Sequence, residues 1–560
     1  MKRKIYLALA MVFTMGATAF SSINTFAVEN QAIEAQATTQ SLVKATQYGA
    51  VRGAAEDNCN VWYSIPYAAA PIGDLRWAAP ADPTAWTDVL DCTSIGNKAI
   101  QAGTDYATGE TVVSGSEDCL NLDVYAPDNA KELPVLVYIH GGNNQTGSST
   151  EIEGSQIVVD ENCVYVSLNY RLGILGFNAL PAFQNEANPT GNYAMLDIAK
   201  ALDWVRGNIS QFGGDPNNVT VSGFSAGGRD VMAMLISPIF EGKFDKAVVY
   251  SGGMTVADED ASAERIAETV APLVVEDGLA ANEELAKEWL LSCDPAVVTY
   301  MKSVSADRLC QLMSNAGIRM SVFPHLYADD VVIPSEGFDT KNYNSVPVLM
   351  LTGETEFSLF SAYDGYFYSP EVMSLDSKTQ DLAKSFAIEY GSEMYRIFNA
   401  QCSAEKMFGN YDNNIYICQV RYGAGDSATQ IPMMGSCHGV FVPMLTDKHT
   451  YGSFANFNNA GYQNMATVFD NYLKNFLVTG NPNGEALTTW NNWTPANPVS
   501  LVLDADANNA IVTVEDTSSS YKQIIGQMEA DTTISDEVKT LMIDNVMNGR
   551  WFSETLDAAY

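Results

Sequence analysis

Apolar runs of strand length alternate along this chain with segments whose apolar residues recur at helical spacing. LPVLVYIH (133–140) and CVYVSLNYRL (163–172) read as buried strands. Between residues 193 and 212, YAMLDIAKALDWVRGNISQF places Met195, Ile198, Ala201, Leu202, Val205 and Ile209 at helical spacing. NVTVSGF (218–224) is strand again, DVMAMLISPIF (230–240) is helix-like, and KAVVYSGG (246–253) is strand. A mainly helical stretch from about 255 to 325 precedes a return to strand in VPVLMLTG (346–353). Strand–helix–strand alternation of this kind predicts an α/β fold with a mostly parallel sheet and helices on both faces. There is no internal repeat, and no Pro-, Gly- or Ser-rich linker divides the chain, so residues 41–560 are expected to form one catalytic domain.

Composition narrows the function classes. Of 560 residues, 47% are apolar, enough for a sizeable core, and 67 acidic against 30 basic residues give a net charge of −37. No basic stripe is present, so nucleic acid is not an expected partner. The acidic excess is spread along the chain and reads as a self-repelling surface rather than a binding tail.

The first 27 residues differ from the rest. Lys2, Arg3 and Lys4 precede the apolar IYLALAMVF, and small residues end at Ala27. That is the pattern of a cleaved secretory signal, with an apolar part too short to span a bilayer comfortably. Export to an extracellular or periplasmic location is expected, with no stable membrane insertion and a flexible leader over 28–40. Nine cysteines leave at least one unpaired if disulfides form, and Cys163, at the start of a buried strand, is the candidate. No C-x-x-C pair and no H-E-x-x-H occurs, so no metal site is expected.

The chemistry concentrates at VTVSGFSAGGRD (219–230). A strand that turns directly into a helix strains the residue at its corner, and neighbours two positions away must be tiny to clear both elements. Ser225, flanked by Gly223 and Gly227, matches this G-x-S-x-G nucleophile elbow in its strand–turn–helix setting. A nucleophilic serine needs oxyanion donors, and the glycine-rich GGNNQTGSS (141–149) directly after an earlier strand could supply them. Gly423-Ala424-Gly425 lacks a nucleotide-binding setting and is discounted.

Several ordered motifs accompany the elbow: SIPYAAAPIGDLRW (64–77), SEDCLNLDVYAP (116–127), YIHGGNN (138–144), LNYRLGILGF (168–177), GNYAML (191–196), FGGDPNNVTVSGFSAGG (212–228) and GNPN (480–483). Over residues 50–510 the chain resembles the type-B carboxylesterases, the cholinesterase-like branch of the α/β-hydrolases. The resemblance implies an α/β-hydrolase fold with a helical excursion covering the active site, a gorge leading to the serine, and a Ser–Glu–His triad in that order. Ser225 is then the nucleophile, and His438 in GSCHGVFVPML the base. Glu356 in MLTGETEFSLF is the acid, with Glu354 nearby as the alternative. The oxyanion donors would be the N–H groups of Gly142, Asn143 and Ala226, and no cofactor is required. The resemblance also implies a Cys92–Cys119 disulfide; Cys293 with Cys310 and Cys402 with Cys418 remain open as further pairs, and Cys437 is ambiguous.

The expected activity is hydrolysis of small to medium carboxylic esters through an acyl-enzyme. A lipase-like esterase, or a non-catalytic binding protein on the same fold, are the alternatives. The aromatic stretch FSLFSAYDGYFY (357–368) suits a lid, an acyl pocket or a packed core edge. Three positions depart from the family pattern: Phe224 stands where glutamate is common, Asn143 replaces the third glycine of the oxyanion loop, and Arg229-Asp230 replace small or apolar residues after the elbow. Oligomeric state is open.

Overall fold

The computed structural model describes residues 42–560 apart from 57, 105–109, 186–188, 313–324, 426–428 and 449–456. The expected signal segment (1–27), the leader (28–40) and His449 lie outside the described residues.

An eleven-stranded sheet organises the molecule. In chain order its strands are β1 (Ala54–Glu56), β2 (Cys59–Pro66), β3 (Asn121–Pro127), β4 (Leu133–Ile139), β5 (Val164–Leu168), β6 (Gly214–Phe224), β7 (Lys246–Tyr250), β8 (Val348–Gly353), β9 (Ile415–Val420), β10 (Val499–Ala505) and β11 (Ala510–Asp516). Across the sheet they run 11-10-9-8-7-6-4-5-3-2-1. The middle, from β5 through β10, is parallel, and antiparallel strands close both edges. Strand runs expected from sequence differ from the observed strands only by a few residues at their ends.

The apolar runs are continuous because both faces of the central strands are covered. On β4, Val135, Val137 and Ile139 enter one core cluster, while Leu136 and Tyr138 enter the other. β7 divides in the same way, Ala247 and Val249 against Val248 and Tyr250. Helix α1 (Tyr193–Asn208) buries Met195, Ile198, Ala201, Leu202 and Val205 on the first face. Helix α2 (Ala226–Met234) packs on that face too, and helix α3 (Ala460–Thr479) covers the second with Phe469, Leu473 and Phe476. A third cluster joins helix α4 (Ser377–Arg396) to the C-terminal segments through Phe386, Met394, Ile524, Met528 and Phe552.

Between β7 and β8 the chain makes its excursion, with helices at Glu259–Glu276, Glu283–Leu290, Pro295–Ser303 and Ala306–Gln311. Among the described residues no helix is long and apolar enough to cross a membrane. The Cys92–Cys119 bridge implied by the resemblance is not formed, and this corrects that expectation: all nine cysteines are free thiols. Both sulfurs are buried in the same core cluster without a bond between them. Cys293–Cys310 and Cys402–Cys418 are likewise unbonded. Cys163 is buried at the entry to β5.

Candidate active site

The carboxyl ends of four adjacent strands deliver the site, where open α/β sheets place their ligands. Register aligns those ends: Gly223 of β6 pairs with Ile139 of β4, Phe224 with Tyr250 of β7, and Tyr250 with Leu351 of β8. Immediately beyond them come His140-Gly141-Gly142, Ser225, Ser251 and Glu356.

Ser225 sits at the corner between β6 and α2 with φ 55° and ψ −114°. This backbone conformation is costly for a residue with a Cβ and persists only where surrounding structure enforces it. The enforcement is visible. The Ser225 N–H donates to Tyr250 O at 2.9 Å, and its carbonyl accepts from Arg229 N–H at 3.0 Å, closing the first turn of α2. A Cβ at Gly223 would lie 2.3 Å from Gly227 O, and one at Gly227 would lie 2.1 Å from Ile139 O. Strand and helix therefore approach as closely as they do only with glycine at both positions.

Glu356 is fully buried just before the helix Phe357–Tyr363. Its Oε1 accepts from Ser251 Oγ at 2.6 Å, Gly353 N–H at 2.6 Å and Thr352 Oγ1 at 3.1 Å. Its Oε2 accepts from His438 Nδ1 at 2.6 Å. Four donors fill the usual acceptor capacity of a carboxylate, so the side chain has no freedom to turn away. Because the carboxylate accepts, Nδ1 carries the imidazole proton, and the lone pair falls on Nε2. Nε2 is buried and has no hydrogen-bond partner among the described residues, Ser225 Oγ included. The two segments are stitched together: Thr355 N–H donates to Ser436 O at 3.1 Å and Thr355 Oγ1 to Met434 O at 3.0 Å.

Three aromatic rings enclose the imidazole: Phe224 at 4.7 Å, Phe360 at 5.0 Å and Tyr395 at 5.4 Å between centroids. Phe224 immediately precedes Ser225, so this contact sets the His438 ring beside the elbow. Phe360 gives the aromatic stretch 357–368 a place at the site, while Tyr363 and Tyr368 of the same stretch are exposed.

Of the two candidate acids, the structure brings only Glu356 to His438. Glu354 points elsewhere and pairs with Arg421 Nε at 2.9 Å. His140 is buried, stacks on Tyr170 at 4.5 Å and donates from Nδ1 to Gly141 O at 2.8 Å. Burial pushes its pKa down to about 4, so it is neutral at pH 7. His325 is buried in a loop against Phe177.

The loop after β4 curls through three consecutive left-handed residues, Gly142 (φ 94°), Asn143 (φ 58°) and Asn144 (φ 55°). Gln145 and Thr146 N–H both donate to Gly142 O at 3.0 Å. Glu151 holds the loop's base, accepting from Gly141 N–H at 2.7 Å and Tyr138 Oη at 2.8 Å. Ala226 opens α2, so its N–H has no acceptor within the helix. Asn143 Oδ1 accepts from Arg229 Nη2 at 3.0 Å, and Asn144 Nδ2 donates to Asp230 Oδ1 at 2.8 Å. Burial raises the Asp230 pKa to about 7 and lowers that of Arg229 to about 10.

Sequence reasoning missed Ser251 and Thr352 as supports of Glu356, Tyr395 as a wall of the imidazole, and Trp551. The sole advance signal for Ser251 was its position at a strand's carboxyl end before two glycines. Trp551 touches Phe360 at 5.4 Å and Tyr395 at 5.3 Å, and also lines a cavity of about 760 Å³. The ends of the helical excursion, Met254–Asp258 and Ser335–Asp339, wall that cavity.

The chain matches a model of the carboxylesterase family over residues 40–391 and 366–522. It is 35% identical over 356 residues to para-nitrobenzyl esterase of Bacillus subtilis (strain 168), covering 62% of this chain and 70% of the relative. It is 27% identical over 506 residues to cocaine esterase of Homo sapiens, covering 80% of this chain and 85% of the relative. A solved PNB esterase superposes with TM-score 0.68 at 26% identity, covering 86% of this chain and 99% of that one. A Geobacillus stearothermophilus carboxylesterase superposes with TM-score 0.67 at 25% identity, covering 87% and 99%.

Proposed function

Because the chain belongs to the carboxylesterase family, and is a carboxylic ester hydrolase, we propose that it works through a Ser225–Glu356–His438 triad on small to medium carboxylic esters. The observation that carries this reading is the Glu356–His438 pair at 2.6 Å, whose imidazole packs at 4.7 Å against Phe224, the residue before the strained Ser225, with Nε2 buried and not hydrogen-bonded to Ser225 Oγ.

In the proposed reaction, His438 Nε2 accepts the Ser225 proton as Oγ attacks the ester carbonyl. Glu356 keeps the proton on Nδ1 and stabilises the imidazolium that forms. The N–H groups of Gly142, Asn143 and Ala226 receive the oxyanion, each donor contributing about 3 kcal/mol by analogy with oxyanion holes elsewhere. His438 then returns the proton to the departing alkoxide, alcohol leaves, and an acyl ester on Ser225 remains. Water, activated by the same imidazole, hydrolyses that ester and regenerates Ser225. The three rings around His438 keep bulk water from competing for its lone pair.

The test is hydrolysis of p-nitrophenyl esters from short to long acyl chains by wild type and Ser225→Ala. A short-chain optimum, and a loss of about 10⁴-fold or more in kcat for the variant, are expected. Undiminished turnover by Ser225→Ala removes the serine mechanism, and a long-chain optimum turns the reading towards a lipase. We also propose that the protein acts outside the cytoplasm after cleavage near Ala27; the N-terminal pattern of charged, apolar and small residues supports this. Mass spectrometry of the N-terminus of the exported protein checks it.

A further inference from the structure

Arg229 is an unusual residue to find one helical turn after a nucleophile. It is 2% exposed and belongs to α2, whose described residues are otherwise small or apolar apart from Asp230. Nη2 donates to Asn143 Oδ1 at 3.0 Å, and the guanidinium lies 5.4 Å from the centroid of the Trp551 ring. Nη1 is buried and has no hydrogen-bond partner among the described residues. No carboxylate lies within 4.0 Å of it among the described residues. Asp230 acts on the guanidinium only at longer range, and a buried guanidinium with an open donor and no close ion pair is costly to retain.

The adjacent carboxyl does not supply that close pair. Asp230 Oδ1 accepts from Asn144 Nδ2, and Oδ2 has no hydrogen-bond partner within 3.5 Å among the described residues, although Tyr170 and Arg229 both act on the carboxyl. Burial raises its pKa to about 7, so its charge is only partly present at neutral pH, whereas Arg229, held near 10, stays protonated. Arg229 does not itself line the cavity, but both of its contacts border the site. One of its contacts, Asn143, is in the loop expected to hold the oxyanion, and the other, Trp551, lines the 760 Å³ cavity and touches two of the rings around His438. Several acids on the cavity wall already have partners: Asp339 pairs with Lys406, Asp258 caps Ala261 N–H, and Asp557 accepts from Gly549 N–H.

We propose that Arg229 is an anion subsite, selecting esters whose acid part carries a second carboxylate, such as half-esters of short dicarboxylic acids. The proposal rests on the Ser225 reading for the position of the scissile bond. Arg229 lies four positions after Ser225, a helical rise of about 6 Å, the scale of a carboxylate a few carbons from the ester carbonyl. The guanidinium fork would grip that carboxylate through Nη1 while Nη2 stays on Asn143. In this role Arg229 touches substrate but takes no part in proton transfer.

Isothermal titration of the whole chain with glutarate and with butyrate reads the subsite without any turnover. Glutarate is expected to bind about tenfold or more tightly than butyrate, as one charge-assisted pair predicts, and Arg229→Met to erase that difference. Equal affinities for the two acids in the wild type overturn the proposal, with no variant needed. Kinetics with monoethyl glutarate and ethyl butyrate add a second reading. The ratio of their kcat/KM values should fall about tenfold or more in Arg229→Met, chiefly through KM, and recover in part in Arg229→Lys. An unchanged ratio overturns the proposal. Preferential binding of glutarate by a chain that hydrolyses neither ester would instead sink the esterase mechanism and leave the subsite standing.

Discussion

The two sides of the candidate site are built to opposite standards. On the side of the base, Glu356 has donors on both oxygens, and His438 is walled by three rings with one nitrogen spoken for. On that side only the reactive Nε2 is left open, whereas on the side of the oxyanion loop Arg229 Nη1 and Asp230 Oδ2 are both buried without a hydrogen bond among the described residues. Saturated polar groups rigidify a site, while open ones are tolerated where a ligand completes them. The first side thus orients a proton acceptor in advance, and the second is left with bonding capacity for a substrate.

The largest effect that tests this contrast is on the saturated side. Glu356→Gln keeps the shape but forces an amide against the His438 ring nitrogen, and kcat should fall about 10³- to 10⁴-fold with little change in KM. The control is Glu354→Gln, which alters only the outward pair with Arg421 and should leave steady-state rates within about twofold. If the two variants behave alike, the assignment of the acid is wrong. A smaller loss is expected from Ser251→Ala, which removes one of the donors to Glu356 Oε1. A hydrogen bond to a charged group contributes about 1.5–3 kcal/mol, so kcat should drop about tenfold or somewhat more.

The smallest effect lies on the open side and appears in stability. Burial raises the Asp230 pKa to about 7, so the folded chain holds a proton there that the unfolded chain releases near 4. Stability from this group is therefore greatest at low pH and declines as pH rises from about 4 through 7. Asp230→Asn removes that decline and can keep the bond from Asn144. Its melting temperature should exceed that of the wild type by about 2 °C or more at pH 8 and by less at pH 5. A difference that shrinks with rising pH would mean that Asp230 is charged in the folded protein.

Some of this was legible in the chain because it is local. The elbow declares itself in five consecutive residues, since steric demands at a sharp strand-to-helix turn act on neighbours at i±2. The strands of the central sheet were legible for a similar reason: burial on both faces leaves an unbroken apolar run. Glu356 and Glu354 could not be separated that way. They are two residues apart with similar neighbours, and only the fold aims one at His438 and the other at Arg421. The Cys92–Cys119 expectation failed because motif spacing carries no information on where two sulfurs point.

Amino-acid order alone therefore determined the α/β alternation, the strained serine and the glycine-rich loop, all set by sterics and periodicity over a few residues, while the resemblance to the family pointed to His438. Tertiary structure alone decided which carboxylate meets the imidazole, that Ser251 and Thr352 support it, and that Trp551 from the C-terminal segment packs over Arg229. These are contacts between residues far apart in the chain, and they arise only when the sheet brings its strand ends into line.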